Sequence, residues 1–446
     1  MIRFLNKLSQ IGLLAGMLFF TEFGVFGQTT KDSVRIDLQK AIEIGLSESP
    51  TMHIADRDIQ IKKQYKKEQI VSLFPDVSLS GSYQYTILKQ SMAMSMGGQD
   101  MTIKVGKDHN YSVGASLSLP IIVPALWTGL KLSQMDIELA MESARSSKLD
   151  LINQIKQAYF AYLTAKQAYE VLLQSYANSE ASNDLVIKQY EQGLVSSYEK
   201  LRSQVALQNL RPEVSSASTA TSLAYMRLKV VLGMDINEPI IFEGQLSDYE
   251  DEVLNAVIPT LDNLSLSENS SLKQMDIGIQ QLEQSKKIIK SSSCPNLALS
   301  GNLMYSGMGD TGGQFNNFPY SVIGLGLSVP IVSWAGTSYK LKQTDLSIEN
   351  MKEQRTDVER NLRLGAQSYI NDMQQALANL ASDKQTMLEA DEAYVIAKRQ
   401  YEIGMNTWLD LNRTELMVTT SHLTYCQSLF NYLSARAALD AIIGQN

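Results

Sequence analysis

The side chains best suited to chemistry in this sequence are few and scattered. Met92, Met94, Met96 and Met101 fall within the stretch SMAMSMGGQDM, and their thioethers suit a soft monovalent ion such as Cu(I) or Ag(I). The stretch reads as a methionine-bearing loop, and no metal site is expected. His53, His109 and His422 share no ligand spacing. Cys294 and Cys426 follow no recognised pattern and read as unpaired packing residues. There is no GxSxG, no phosphate-binding glycine loop and no HExxH, and the many serines have no base beside them. The chain reads as a protein that is not an enzyme and needs no cofactor.

The N-terminus speaks instead about location. Arg3 and Lys7 precede the apolar run IGLLAGMLFF, and Val25 and Gly27 supply small residues before Gln28, which is the layout of a secretory signal over residues 1–27. The formal charge of the whole chain is -8, and losing Arg3, Lys7 and Glu22 with the signal would leave about -9. An acidic chain argues against nucleic acid as a partner. No later run is long and apolar enough to suggest a transmembrane helix.

The elements that must position these residues come in duplicate. SPTMHIADRDI from Ser49 is answered by NSSLKQMDIGI from Asn269, and SLFPDVSLSGSYQY from Ser72 by SSCPNLALSGNLMY from Ser292, both 220 residues later. QYEQGLVSSYEKLRSQ from Gln189 is answered by QYEIGMNTWLDLNRTE from Gln400, at an offset of 211. A stretch of about ten residues is therefore inserted in the first copy between Thr86 and Asn110. The expected layout is a first repeat over 28–235, an acidic connector over 236–266 that reads as solvated, and a second repeat over 267–446.

Within each repeat two runs alternate with period two. Strands are expected over about 75–87, 111–121, 296–305 and 320–331, each with one apolar row facing Ser, Gly, Thr or Gln rather than charge. Runs of about ten residues suit tilted strands crossing a bilayer, where unpaired edges are not tolerated and the sheet must close. With four strands per chain, closure requires further copies of the chain. Trp127 and Trp334 fall where an interfacial aromatic belt is expected. Long helix hairpins follow, over about 129–232 and 338–443, with interleaved Ala and Ser that suit an extended coiled-coil array. Their turns carry Gly193 and Gly404, with Ser196 or Ser197 and Thr407 available as caps. A soluble periplasmic helical scaffold or adaptor without a channel is the alternative reading of this pattern.

The tandem layout, the two strand hairpins and the paired tips QYEQGLVSSYEKL and QYEIGMNTWLDL resemble the TolC family of outer-membrane exit ducts over essentially the whole mature chain. The resemblance implies a mainly α fold with membrane β: a long antiparallel helical barrel through the periplasm, and four strands per chain completing a twelve-stranded outer-membrane β-barrel in a homotrimer. It implies a passive exit duct of a tripartite efflux pump or type I secretion system, gated at its periplasmic tips. Its partners would be outer-membrane lipid, a periplasmic adaptor of the membrane fusion type and an inner-membrane transporter of RND, ABC or MFS type. Carried over residue by residue, Tyr401 and Glu199 would hydrogen-bond between neighbouring helix pairs, and Asp410 matches an acidic ring at the constriction. Asn406 stands where the family has a salt-bridging arginine, and Arg413 where it has a second acidic residue. The adaptor would dock on Gly193, Leu194, Val195, Gly404 and Met405.

Overall fold

The computed structural model describes residues 34–96, 99–311, 314–331 and 334–444. The expected signal over 1–27 lies outside the described residues, as does the side chain of Trp334. One small unit is a two-stranded parallel pair, β1 (Val34–Ile36) with β6 (Ile240–Phe242), tied by Arg35 to Glu243 at 3.1 Å.

The other unit contains the rest of the described chain. Its first half runs α1 (Leu38–Glu48), α2 (Pro50–Val71), β2 (Asp76–Tyr85), β3 (Gln90–Met96), β4 (Gln99–Val105), β5 (His109–Ile122), α3 (Pro124–Glu191) and α4 (Ser197–Leu232). A short α5 (Glu250–Leu254) follows. The second half runs α6 (Ser270–Ser291), β7 (Asn296–Thr311), β8 (Gln314–Ser328), α7 (Trp334–Glu402) and α8 (Trp408–Ile443).

The 68 residues of α3 and 69 of α7 make helices of about 100 Å at 1.5 Å per residue. Both start earlier than their period suggests. Pro124 occupies the first turn of α3, where its missing N–H costs nothing, so the helix begins at the proline itself. Each long helix turns back as a shorter one, α4 or α8, ending on Gly233 or Gly444 at φ 78° or 79°. A Cβ on either glycine would stand 2.7 Å from a carbonyl oxygen, that of Glu48 or Glu268 respectively. The returning helix thus abuts the start of α2 or α6 in the same way in both halves, and Asn269 Nδ2 secures the second junction by donating to the Ile442 carbonyl at 2.8 Å.

The strands form one antiparallel sheet in the order β2-β5-β7-β8, so β2 and β8 are its free edges. β7 and β8 extend well past the expected 296–305 and start before the expected 320. The stretches 306–311 and 314–319 read as loop in sequence but belong to the paired strands. The inserted segment is likewise not a loop: β3 and β4 pair as a hairpin, with Met92 opposite Ile103 and Met94 opposite Met101. The side chains of Met96 and Met101 lie outside the described residues.

The connector differs from a solvated linker. Leu246 and Val253 are buried, Glu250 meets Lys384 at 2.5 Å, and Glu252 meets Arg436 at 2.8 Å. The acidic segment is thereby bound to α7 and α8 by charge and by two apolar anchors. Cys294 and Cys426 are both free thiols. Burial pushes the Cys426 thiol up to about 11, which keeps it protonated and inert. Among the described residues no helix is long and apolar enough to cross a membrane.

Candidate functional site

Two regions carry the features that could serve a function: the faces of the sheet and the tips of the helix hairpins. Register sorts the sheet residues cleanly. Val77, Leu79 and Tyr83 pair with Leu117, Ala115 and Tyr111, and the row continues through Leu299, Leu303 and Tyr305. Leu79 is 80% and Leu303 63% exposed on this face, while Tyr111, Leu117 and Leu299 on the inner strands are half-buried. On the opposite face Ser78 meets Ser116 at 2.6 Å and Ser82 meets Ser112 at 2.8 Å, side chain to side chain. One face is therefore built for a hydrocarbon neighbour and the other for water.

The end of the apolar face away from the helices carries an aromatic group. Tyr111 lies 6.3 Å from Tyr305 and 5.2 Å from Phe315, while Tyr83 and Tyr85 lie 6.1 and 4.9 Å from His109, ring centre to ring centre. Trp127 and Phe74 are exposed near the other end, where the helices begin. Rings at both limits of an apolar band match the two interfaces of a membrane. The sequence expectation named only the tryptophans, although tyrosines recurring at every second position near one strand end were visible.

β8 departs from the simple pattern. Ile323 and Leu325 share the apolar face, but Phe318, Tyr320 and Val322 pair with Ser306, Met304 and Asn302 and so lie on the serine-lined face. The apolar phase switches faces between Val322 and Ile323, and this was missed because each half of the run alternates regularly by itself.

At the tips the backbone is nearly identical in both hairpins. Gly193 and Gly404 each have φ 73°, a left-handed conformation that other residues avoid. Leu194 N donates to the Gln189 carbonyl at 2.9 Å, and Met405 N to the Gln400 carbonyl at 2.8 Å, which is the wrapped helix end that such a glycine permits. Ser196 Oγ then accepts from Glu199 N at 3.3 Å, and Thr407 Oγ1 from Asp410 N at 3.2 Å, so both returning helices are capped. No atom lies within 4 Å of a Cβ built on either tip glycine. Leu194, Ile403 and Met405 project outward, 69 to 76% exposed, while Val195 is half-buried.

The expected gate residues divide into two groups. Tyr401 is buried with Trp408 and Leu411 against Val186 and Ala397, a cluster that joins the two hairpins. Its phenol donates to Gln189 Oε1 at 2.9 Å, so the bond it makes within the chain is to Gln189 rather than to Glu199. Burial, reinforced by the nearby Glu199 carboxylate, pushes the phenol up to about 12. Asp410 accepts from Thr407 Oγ1 at 2.5 Å, and the Asn406 side chain accepts from Thr407 N at 2.9 Å, so both are engaged in starting α8. Arg413 is exposed on α8.

Above the tips, small hydroxyls bridge the helices. Thr419 donates to Ser175 at 2.8 Å, Ser182 donates to Glu415 at 2.5 Å, and Ser203 donates to Asn183 at 2.9 Å. Glu415 is buried, and burial raises its carboxyl above the usual 4.5 against the smaller pulls of Ser182 and Lys398. Among the described residues no three His, Cys, Asp or Glu gather as a metal site.

Comparison with known proteins places this architecture. The family model described as outer membrane efflux protein matches residues 42–234 and 261–445. The fold is shared with the Campylobacter jejuni CmeC outer membrane channel at 15% identity, covering 91% of this chain and 85% of that one, with a TM-score of 0.70. The open state of the Neisseria gonorrhoeae MtrE outer membrane channel matches at 15% identity, 92% and 89% coverage and a TM-score of 0.72. VceC, an outer membrane protein of Vibrio cholerae, matches at 15% identity, 92% and 96% coverage and a TM-score of 0.69. No curated protein sequence matches. With its family model spanning most of the chain, an exposed apolar sheet face and long helical hairpins, the protein belongs to the outer membrane efflux protein family and is a non-enzymatic duct of the outer membrane that extends into the periplasm.

Proposed function

We propose that three copies of this chain close a twelve-stranded barrel, β2 of one copy pairing with β8 of the next, and that the duct so formed is gated at the helical tips. The observation that carries this reading is the pair of free sheet edges flanking an uncovered apolar face. In lipid an open edge leaves each unpaired backbone group without a partner, and four strands cannot close alone. β2 runs away from the helices and β8 back toward them, so the pairing between copies is antiparallel like the rest of the sheet.

Members of this family work with an adaptor and an inner-membrane pump. For this chain the adaptor would meet the tips at Gly193, Leu194, Val195, Gly404 and Met405, where open space around both glycines lets another backbone approach. The exposed stripe of Tyr198, Leu201 and Val205 on α4 adds apolar area at the same level. Gating falls to Tyr401 and Glu199, with Asn406, Asp410 and Arg413 around the constriction. Energy and cargo selection would come from the pump, whether of RND, ABC or MFS type, in an efflux or a type I secretion assembly.

Heat-modifiable trimers in outer-membrane fractions and ion conductance in planar bilayers are the expected results. A monomer soluble without detergent would sink the duct. Changing Gly193 and Gly404 together to Trp should abolish adaptor crosslinking while trimers persist, and normal transport by that double variant would count against docking at the tips.

A further inference from the structure

β8 carries large apolar groups on the side where β2 and β5 carry serine. Its register with β7 is unbroken from Ser328 opposite Asn296 to Asn316 opposite Met308, so alternation fixes the side of every residue between them. Phe318, Tyr320 and Val322 fall on the serine-lined face, opposite Ser306, Met304 and Asn302, and are 50, 52 and 54% exposed. Met304 belongs to the same patch and lies across Gly114, where a Cβ would meet its sulfur. At this height the other face still carries Leu303 and Tyr305. The patch therefore sits at membrane depth but on the side away from lipid.

Closing the barrel does not cover it. β2 of the next copy would pair with β8 in the plane of the sheet, which satisfies the edge and leaves both faces as they are. Eight strands enclose an interior that side chains just fill, so twelve leave a lumen too wide for three such patches to meet. What the patch touches is what passes along the lumen. The charge on the same face says of what kind. Among the described residues in unbroken register, Asp76 is the one charged side chain on the serine-lined side, and it opens β2 at the end nearest the helices. Asp310, past the irregularity above Met308, has its charge met by Lys89 and Lys107. Three Asp76 carboxylates around the inner end of the barrel draw cations into it.

We propose that Phe318, Tyr320, Val322 and Met304 form a contact site for apolar cations on the lumenal wall, one site per copy. A cargo with aromatic rings and a positive charge would stack on Phe318 and Tyr320 and present its charge to their ring faces. The site rests on the trimeric duct proposed above.

Current through the full-length protein in planar bilayers, titrated with tetraphenylphosphonium, tests this. The ion should block the wild-type channel, and Phe318→Ser, Tyr320→Ser and Val322→Thr together should raise the half-blocking concentration about tenfold or more, as losing ring contacts to a cation does. Asp76→Asn should raise it less and should also weaken the preference for cations over anions. Tetramethylammonium, which has the charge without the rings, should act alike on wild type and the triple variant. If the triple variant fails to assemble, single changes decide: Tyr320→Ser should weaken the block and Phe318→Trp should tighten it. An unchanged half-blocking concentration in channels of normal unit conductance, or an equal shift for tetramethylammonium, overturns the site and leaves the duct. A parent chain that makes no channels overturns both.

Discussion

The two helical tips share a backbone and differ in almost everything attached to it. Each has a glycine at φ 73° and a hydroxyl cap on the returning helix. In the second tip Tyr401, Trp408 and Leu411 are buried. Their counterparts in the first tip are Tyr190, Ser197 and Lys200, and there the tyrosine is exposed with the Lys200 ammonium 4.6 Å over its ring. Duplication has kept the device that turns the chain and divided the work of the side chains. The second tip anchors itself to the first through an apolar cluster, while the first leaves Leu194, Tyr198 and Leu201 exposed.

Trp408→Ala is the most direct way to break this contrast. Removing a fully packed indole should cost about 3–5 kcal/mol in denaturant unfolding of the detergent-solubilised protein. Tyr190→Ala at the other tip should cost about 0.5 kcal/mol or less, as exposed positions do. Comparable losses at the two sites would show that the first tip is buried by a partner even in the isolated trimer. The glycines should behave alike instead. Gly193→Ala and Gly404→Ala should each cost roughly 1–2 kcal/mol, the strain of a left-handed residue with a side chain, because no neighbouring atom distinguishes the two positions. Limited proteolysis should show cleavage near either tip rise by a similar factor.

Much of this division could be read in the sequence, and the part that could not has a physical cause. Gly193, Gly404, Gly233 and Gly444 are local signals: a left-handed helix end is dictated by the residue itself. The sheet was legible where alternation and residue size agreed, as from Val77 to Tyr83. It was not legible in GMGDT or SMAMSM, where glycine and methionine have weak strand preference and cross-strand pairing decides the outcome. The partner of Tyr401 was beyond local reasoning. Gln189 lies 212 residues away in sequence, and the bond follows from how α3 packs beside the hairpin of α7 and α8. Asp410 shows the reverse case: a residue singled out by resemblance also has a plain local duty, with Thr407, at the start of α8.

Tyr401→Phe sharpens the comparison with a smaller change. It keeps the ring in its cluster and removes only the hydrogen bond to Gln189, so the loss should be about 1 kcal/mol. If that bond helps hold the second tip closed, conductance through the trimer should rise. Because the phenol is held up to about 12, its proton stays in place across physiological pH, and the difference between wild type and variant should not change between pH 6 and pH 9. A difference that vanished within that interval would assign the closure to another group.

The smallest effect expected is at Glu415, whose counterpart in the first copy is Gln204. Burial raises the Glu415 carboxyl in the folded protein, while in the unfolded chain it titrates near the ordinary 4.5. The folded state therefore holds this proton more tightly. Stability contributed by the protonated form is present below 4.5 and is lost as pH climbs toward the folded value, so this group alone makes the hairpins less stable at neutral pH than in mild acid. Tyr394 and Lys398 face the same carboxylate, and burial pushes the Tyr394 phenol up to about 12, so it stays uncharged in that interval. Glu415→Gln installs what the first copy already carries. It should raise the unfolding midpoint slightly at pH 7, leave it nearly unchanged at pH 4, and flatten the slope between the two. A midpoint lowered at both pH values would mean that the carboxylate is worth more to Ser182 and Lys398 than its burial costs, and that the glutamate in the second copy is kept as a charge-assisted lock between α3 and α8.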